Sequence, residues 1–334
     1  MDRLQSGSFL LFPAGGEEQP EREKAQKGQK MRRALAIALT VLMVLALAAC
    51  GQSAAPAAAP AAAPAAEAPA AEAPAEASVP SGVEDGILTI AMECAYAPYN
   101  WTQGDDSNGA VPIKDSANEY ANGYDVMMAK RICEANGWQL EVIKADWDSL
   151  VPGVQSRTYD AVIAGQSMTP ERSEQVDFAG PYLYATIVCL TRADSPFASA
   201  KGINDLAGGS CTSQSATIWY DTMLPQIPNA NIQPAAESAP AMLMALESGQ
   251  VDFVCTDMPT ALGAVAAYPD LVLLDFAGSG NDFTAEDGDI NIGVSVFKGN
   301  TVLLDAINAV LSPMTADDFN AMMADAIAVQ PVGA

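Results

Sequence analysis

From residue 86 to the C-terminus, short apolar runs alternate with longer segments whose apolar residues recur every three or four positions. The runs at 87–91, 140–143, 160–164, 251–255 and 292–297 predict strands. An extended stretch at 185–190 precedes a break at Ser195-Pro196. Helices are predicted over 124–136, closed by Gly137, and over 150–155, 216–224, 239–246, 260–267, 302–311 and 316–327. Thr169-Pro170 reads as an N-cap followed by proline at the first helical position. Alternating β and α elements predict an α/β fold of two doubly wound α/β lobes with parallel sheets. In such sheets a ligand sits beyond the carboxyl ends of strands, where helix N-termini offer free N–H groups. The segments following strands are therefore where chemistry is expected.

The region ahead of this body has a different character. Residues 31–49 read MRRALAIALTVLMVLALAA, a basic pair followed by an apolar run interrupted only by Thr40. That is the layout of a signal peptide, and the run is short for a bilayer-spanning helix. It ends in Leu47-Ala48-Ala49-Cys50-Gly51, which resembles the lipobox of bacterial lipoproteins and implies a lipidated Cys50. Residues 1–30 are polar and without apolar periodicity, and Met31 is expected to be the true start. Residues 50–83 are expected to form the lipidated cysteine and a tether of Ala, Pro and Glu. Repeated proline prevents a continuous helix there, and nothing in it can build a core. Extended as polyproline II at about 3.1 Å per residue, the tether would reach at most roughly 90 Å.

Charge and composition remove several function classes. The chain has 334 residues and a formal net charge of −25. After Cys50 the count is 9 Lys and Arg against 36 Asp and Glu. A surface that acidic repels polyphosphate, and no run of basic residues forms a stripe, so nucleic acid is excluded as a partner. There is no histidine, which removes the commonest general base, the usual zinc ligand and every Ser-His or Cys-His dyad. The six cysteines include no CxxC pair and fit no zinc framework. With Cys50 set aside an odd number remains, so the others are expected as small buried side chains. No metal and no cofactor are expected.

Three segments at strand ends stand out. They are Glu93 to Trp101 (ECAYAPYNW), Ala164 to Arg172 (AGQSMTPER), and Asp257 just after its strand. Together with GYDVMMAKRI, DAVIAGQSMTPERSEQVDFAGPYL, SGQVDFV and NIGVSVF, they make the body from residue 86 to 328 resemble the family 3 extracellular solute-binding proteins. These are the amino-acid receptors of ABC importers. The stretch 160–182 is the most specific, because its order of small residues, Thr, Arg and Asp-Phe is hard to obtain by chance.

The resemblance implies a type II periplasmic-binding-protein-like fold with a hinge of two chain crossings. Residues 84–190 plus 291–334 would form lobe 1, and 191–290 lobe 2. It makes Arg172 the guanidinium that forks onto a ligand carboxylate, with Gly165 and Ser167 donating to the same group. Asp257 would accept from the α-ammonium. Tyr96 would wall the slot, Trp147 would flank the ligand side chain, and Thr217 would lie near the carboxylate. Glu93 stands where a carboxylate near the ligand side chain hints at a polar or basic ligand. Two features depart from the family pattern: Ser215 stands where Gly is usual, and the insert at 102–122 is long, a cap on the cleft or a solvated loop.

Each of these residues has a plainer reading. Arg172 could be a solvated first-turn arginine paired with Glu171 or Asp177, and Asp257 a helix N-terminal carboxylate ahead of Pro259. Tyr96 and Trp147 could be core aromatics. The physics of the ligand favours the sharper reading, since a zwitterion needs a cation and an anion one small molecule apart. Arginine offers a planar fork matched to a carboxylate. The expected function is therefore non-catalytic: a monomeric extracytoplasmic receptor, lipid-anchored to the bacterial cell membrane. It would pass a free amino acid to ABC permease subunits. The alternative is a cyclohexadienyl dehydratase-like enzyme, for which Glu93 would be the general acid.

Overall fold

The computed structural model describes residues 83–331; the signal sequence, Cys50 and most of the tether lie outside the described residues. The chain opens with β1 (Ile87–Met92), β2 (Ala95–Tyr96), β3 (Asn100–Gln103), β4 (Val111–Pro112) and β5 (Tyr120–Asn122). Then follow α1 (Tyr124–Asn136), β6 (Gln139–Lys144), α2 (Leu150–Gln155), β7 (Ala161–Val162), α3 (Pro170–Ser173) and β8 (Val176–Tyr184). The middle of the chain contributes β9 (Ile187–Arg192), β10 (Ser210–Thr212), β11 (Asn231–Ile232), α4 (Ala239–Glu247), β12 (Phe253–Asp257), α5 (Met258–Ala267) and β13 (Leu271–Leu274). It ends with α6 (Asp287–Ile290), β14 (Asn291–Phe297), α7 (Thr301–Leu311) and α8 (Ala316–Val329).

Two five-stranded sheets result, in the orders β6-β1-β7-β14-β8 and β11-β10-β12-β9-β13. They are mixed rather than parallel as predicted. β14 runs antiparallel to both its neighbours in the first sheet, as does β9 in the second. The cause is the connections. β8 leads into β9 through residues 185 and 186 alone, with no helix to carry the chain back to the starting end of a sheet. The return from β13 to β14 likewise contains only the one-turn α6 as regular structure. β9 begins at Ile187 and belongs to the second sheet, so the first crossing falls at residues 185–186, ahead of position 190. Such a mixed α/β arrangement fits the type II periplasmic-binding-protein fold.

Burial follows the pleat. In β9 and β12 the residues Val188, Leu190 and Val254 pack with Met242, Leu246, Ala261 and Ala264 of α4 and α5. The alternate residues Cys189, Phe253 and Cys255 face the larger core on the other side. Cys94, Cys133, Cys189, Cys211 and Cys255 are all buried free thiols, in keeping with a packing role.

Other expectations shift. The predicted helix at 216–224 is instead a tight turn and one π-helical turn, Trp219–Met223, followed by a 3-10 turn, Leu224–Gln226. β8 was not predicted, because Gly180-Pro181 interrupts its apolar pattern; it lies at the edge of its sheet, where proline is tolerated. The insert at 102–122 contributes to a small antiparallel sheet, β2-β3-β5-β4, and Ile113 bridges to Val142 of β6.

Gly123 fixes the junction between this small sheet and α1. Its φ is +123°, and a Cβ there would lie 2.4 Å from the Tyr99 carbonyl oxygen and 2.9 Å from Asn100 Cα. Both are backbone atoms that cannot swing aside. Gly123→Ala is therefore expected to destabilise the fold by about 2–3 kcal/mol. A urea-unfolding midpoint equal to that of the parent protein would contradict this.

Candidate functional site

The segments that follow β1, β6, β7 and β10 converge on a small cavity between the two sheets. Tyr96, Trp147, Gly165, Ser167, Arg172, Gln214, Thr217 and Trp219 line it. Its volume is about 10 Å³, room for about one water molecule. Trp147, Arg172 and Thr217 also belong to an adjoining groove of about 790 Å³, whose wall carries Asp148, Glu171, Asp221, Glu286 and Asp289.

Arg172 is placed by its short helix. The Thr169 hydroxyl caps α3 by accepting from the Arg172 N–H at 3.3 Å, with Pro170 at the first helical position, as the sequence suggested. The guanidinium then reaches both sides of the cavity. Nη1 donates to the Ser167 carbonyl at 3.0 Å and Nη2 to the Ala216 carbonyl at 2.8 Å. It also stands over the Trp147 ring, 5.3 Å from the centroid, a cation–π contact. Burial pulls its pKa down to about 10, against the opposing pull of Asp221 and Glu171. It stays charged at neutral pH. It makes no ion pair with Glu171 or Asp177; the latter pairs with Lys298 at 3.4 Å.

Asp257 is the last residue of β12 rather than a residue beyond the strand, and it has no exposed surface. It does not line the cavity. Its Oδ1 accepts from the Thr260 N–H at 2.8 Å, so the plainer reading as an N-cap carboxylate holds for α5. Its Oδ2 accepts from the Tyr99 hydroxyl at 2.9 Å and the Tyr96 hydroxyl at 3.1 Å. Burial raises its pKa, and the Thr260 and tyrosine hydrogen bonds oppose the rise. Tyr96 stands between Asp257 and the cavity, so the carboxylate is one hydrogen bond behind the cavity wall.

Glu93 is similarly set back. Its two oxygens accept from the Gln214 amide, both at 3.2 Å, and Gln214 lines the cavity from the second sheet. Burial pushes the Glu93 pKa up to about 7, opposed by the Gln214 hydrogen bond and aided by the charges of Asp146 and Asp148.

Gly165 has a φ of +65°, and a Cβ there would come within 3.0 Å of the Tyr96 ring and 3.2 Å of the Tyr99 ring. Its N–H donates to the Tyr182 hydroxyl at 3.0 Å, which in turn donates to Asp125 at 2.7 Å. That N–H is thus engaged with the protein in this arrangement. Asp125 also accepts from Asn100 at 2.8 Å, and burial raises its pKa to about 7. This buried chain of polar groups supports the wall under Gly165.

On the opposite side, the Thr217 hydroxyl donates to the Gln214 carbonyl at 2.7 Å and closes the turn. The left-handed residue of that turn is Ala216, with φ +52°, so Ser215 does not need to supply the conformation that glycine favours.

Six of the eight residues singled out from the sequence line one cavity: Tyr96, Trp147, Gly165, Ser167, Arg172 and Thr217. Glu93 and Asp257 lie just behind it. Two cavity residues, Gln214 and Trp219, were absent from that set. Gln214 lies in the same turn as Ser215 and Thr217. Trp219 carried no signal in sequence, because it reaches the cavity through a π-helical turn where an ordinary helix was expected.

Residues 88–325 match the bacterial extracellular solute-binding proteins, family 3. Among curated proteins, the chain is 27% identical over 201 residues to the ABC transporter arginine-binding protein 1 of Escherichia coli K12, covering 60% of this chain and 79% of that one. Among solved structures it resembles an amino acid ABC transporter substrate-binding protein, AbpA, of Streptococcus pneumoniae, bound to L-arginine. That similarity has a TM-score of 0.61 at 25% identity and covers 74% of this chain and 97% of that one. It also resembles an ancestral amino acid-binding protein described as a precursor of cyclohexadienyl dehydratase, with a TM-score of 0.59 at 25% identity, covering 73% and 97%. With the family match spanning most of the chain and the strand ends meeting at one cavity, this protein belongs to the bacterial extracellular solute-binding proteins, family 3.

Proposed function

We propose that this amino-acid receptor of an ABC importer grips its ligand at both poles between the two sheets, and that the ligand side chain is polar or cationic. The observation that carries the reading is Arg172, a charged guanidinium held between Ser167 of one side and Ala216 of the other, at the cavity wall. The carbonyl partners it now has can be exchanged for the two oxygens of an α-carboxylate, to which its planar fork is better matched. Ser167 and Thr217 flank that position. The Tyr96 hydroxyl, backed by the Asp257 charge, faces the ammonium pole.

A polar or cationic side chain is favoured by Glu93. Its carboxyl is held by the amide of Gln214, and a ligand cation in the place of that amide would draw it into its ionised form. The curated relative named above is an arginine-binding protein, which agrees with this direction.

A cavity of about 10 Å³ admits an amino acid only if the sheets separate. Among the described residues the sheets are linked covalently by two crossings, at 185–186 and 275–290, which serve as the hinge of an open–closed equilibrium. Ligand shifts it by binding the closed form better. Residues up to 184 together with 291 onward form one lobe, and those between the crossings the other.

No helix among the described residues is long and apolar enough to cross a membrane. We assign membrane attachment to Cys50, at the end of the signal sequence; mass spectrometry of membrane-derived protein should find that cysteine N-terminal and diacylglycerylated. An unmodified Cys50 in the mature protein would rule this out.

One observation favours a second reading. Glu93, with a pKa of about 7, is poised as a general acid, and one structural relative is a precursor of a cyclohexadienyl dehydratase. That relative is itself an amino acid-binding protein. Turnover of prephenate or arogenate that Glu93→Gln abolishes would establish the enzyme.

The receptor reading expects calorimetry over the twenty amino acids to find a micromolar or tighter ligand among the polar or basic ones. Charge-assisted hydrogen bonds are each worth about 1.5–3 kcal/mol, and Arg172→Ala removes at least two. It should weaken binding by at least about 100-fold. Full affinity in that variant would refute the carboxylate assignment, and a preference for acidic ligands would refute the role given to Glu93.

A further inference from the structure

Tyr96 and Tyr99 both donate to the same oxygen of Asp257, yet they stand differently toward the cavity. Tyr96 lines it; Tyr99 does not, and has no exposed surface. Their rings stack with centroids 4.8 Å apart at 11°, and Gly165 packs closely against both. Tyr99 is also fixed from behind. Its carbonyl accepts from the Asp125 N–H at the start of α1 at 2.8 Å, and its ring meets Tyr124 edge-on at 6.2 Å. Both tyrosines belong to the part of the chain that builds the first sheet, while Asp257 ends β12 of the second. The hydrogen bonds between them therefore cross from one half of the body to the other.

A carboxylate offers about four acceptor positions. Thr260 occupies one of them on Oδ1, and the two tyrosines occupy both on Oδ2. An ammonium that reaches Asp257 from the cavity has to displace the Tyr96 hydroxyl, which stands between them. Tyr99, behind the wall, is out of its reach.

We infer that Tyr99 is a positioning residue for ligand capture: its hydroxyl holds Asp257 across the cleft from behind and sets how long the closed form lasts. The inference rests on the reading of this cavity as an amino-acid site. A bond made only when the two halves are together slows opening without affecting encounter, so its loss shows in dissociation. Tyr96→Phe, by contrast, alters the cavity wall itself and changes association as well.

The test uses stopped-flow kinetics with the amino acid that calorimetry identifies, on the parent protein, Tyr99→Phe, Asp257→Asn and the double variant. Tyr99→Phe is expected to speed dissociation about tenfold, the loss of one hydrogen bond to a charged group, with association within about twofold of the parent. In the Asp257→Asn background the same change should have little further effect, since the charge that the hydroxyl holds is gone. The thermal midpoint of ligand-free Tyr99→Phe reads any folding defect separately, and kinetics are taken well below it. An unchanged dissociation rate, or an equal acceleration in the Asp257→Asn background, overturns the inference. Arg172→Ala distinguishes the failures: if it still abolishes binding, the amino-acid site stands and only the role of Tyr99 falls.

Discussion

Asp257 is a carboxylate withdrawn wholly from water, and such a group persists only if its lone pairs are occupied by donors. Three donors come from two parts of the fold: the Thr260 N–H at the start of α5, and the Tyr96 and Tyr99 hydroxyls that follow β1. Satisfying this carboxylate brings the carboxyl end of β12 against the segment after β1. Around that contact the other elements fall into place. α3 delivers Arg172 to the cavity, the turn at 214–217 closes over it, and Gln214 reaches Glu93. A half without the other would leave Asp257 short of two donors, and an under-satisfied buried carboxylate costs several kcal/mol.

The same arrangement explains why both halves matter to function. The charged groups at and just behind the cavity wall are already paired with protein. Arg172 holds two carbonyls, Glu93 holds the Gln214 amide, and Tyr96 donates to Asp257. On the proposed reading, an amino acid would gain its free energy by exchange, its carboxylate replacing the neutral carbonyls on Arg172. Exchange of this kind discriminates strongly, because a ligand lacking one pole leaves a buried charge without its better partner. The acidic wall of the adjoining groove, with Asp148, Glu171 and Asp221, disfavours anionic ligands in the same region.

Much of this was legible in sequence, for reasons that differ by residue. The N-cap at Thr169 and the arginine three residues on are local, so their geometry follows from chain chemistry alone. Helix α1 was readable from its apolar spacing and the left-handed Gly137 that ends it. By contrast, β8 was hidden by Gly180-Pro181, since an edge strand tolerates what a central strand does not. The antiparallel entry of β9 and β14 depends on connection length rather than on either strand's own residues. The set-back positions of Asp257 and Glu93, and the arrival of Trp219 at the cavity, depend on contacts between segments more than a hundred residues apart, which no local pattern encodes.

A zwitterion held at both ends loses affinity when either of its charges is removed, so ligand analogues are the sharpest probe of the site. Once the preferred amino acid is known, its affinity is compared with those of its decarboxylated amine and its N-acetyl derivative. Each analogue is expected to bind at least about 100-fold more weakly, because each loses about two charge-assisted hydrogen bonds. Either analogue binding as tightly as the parent amino acid would contradict a grip at both ends.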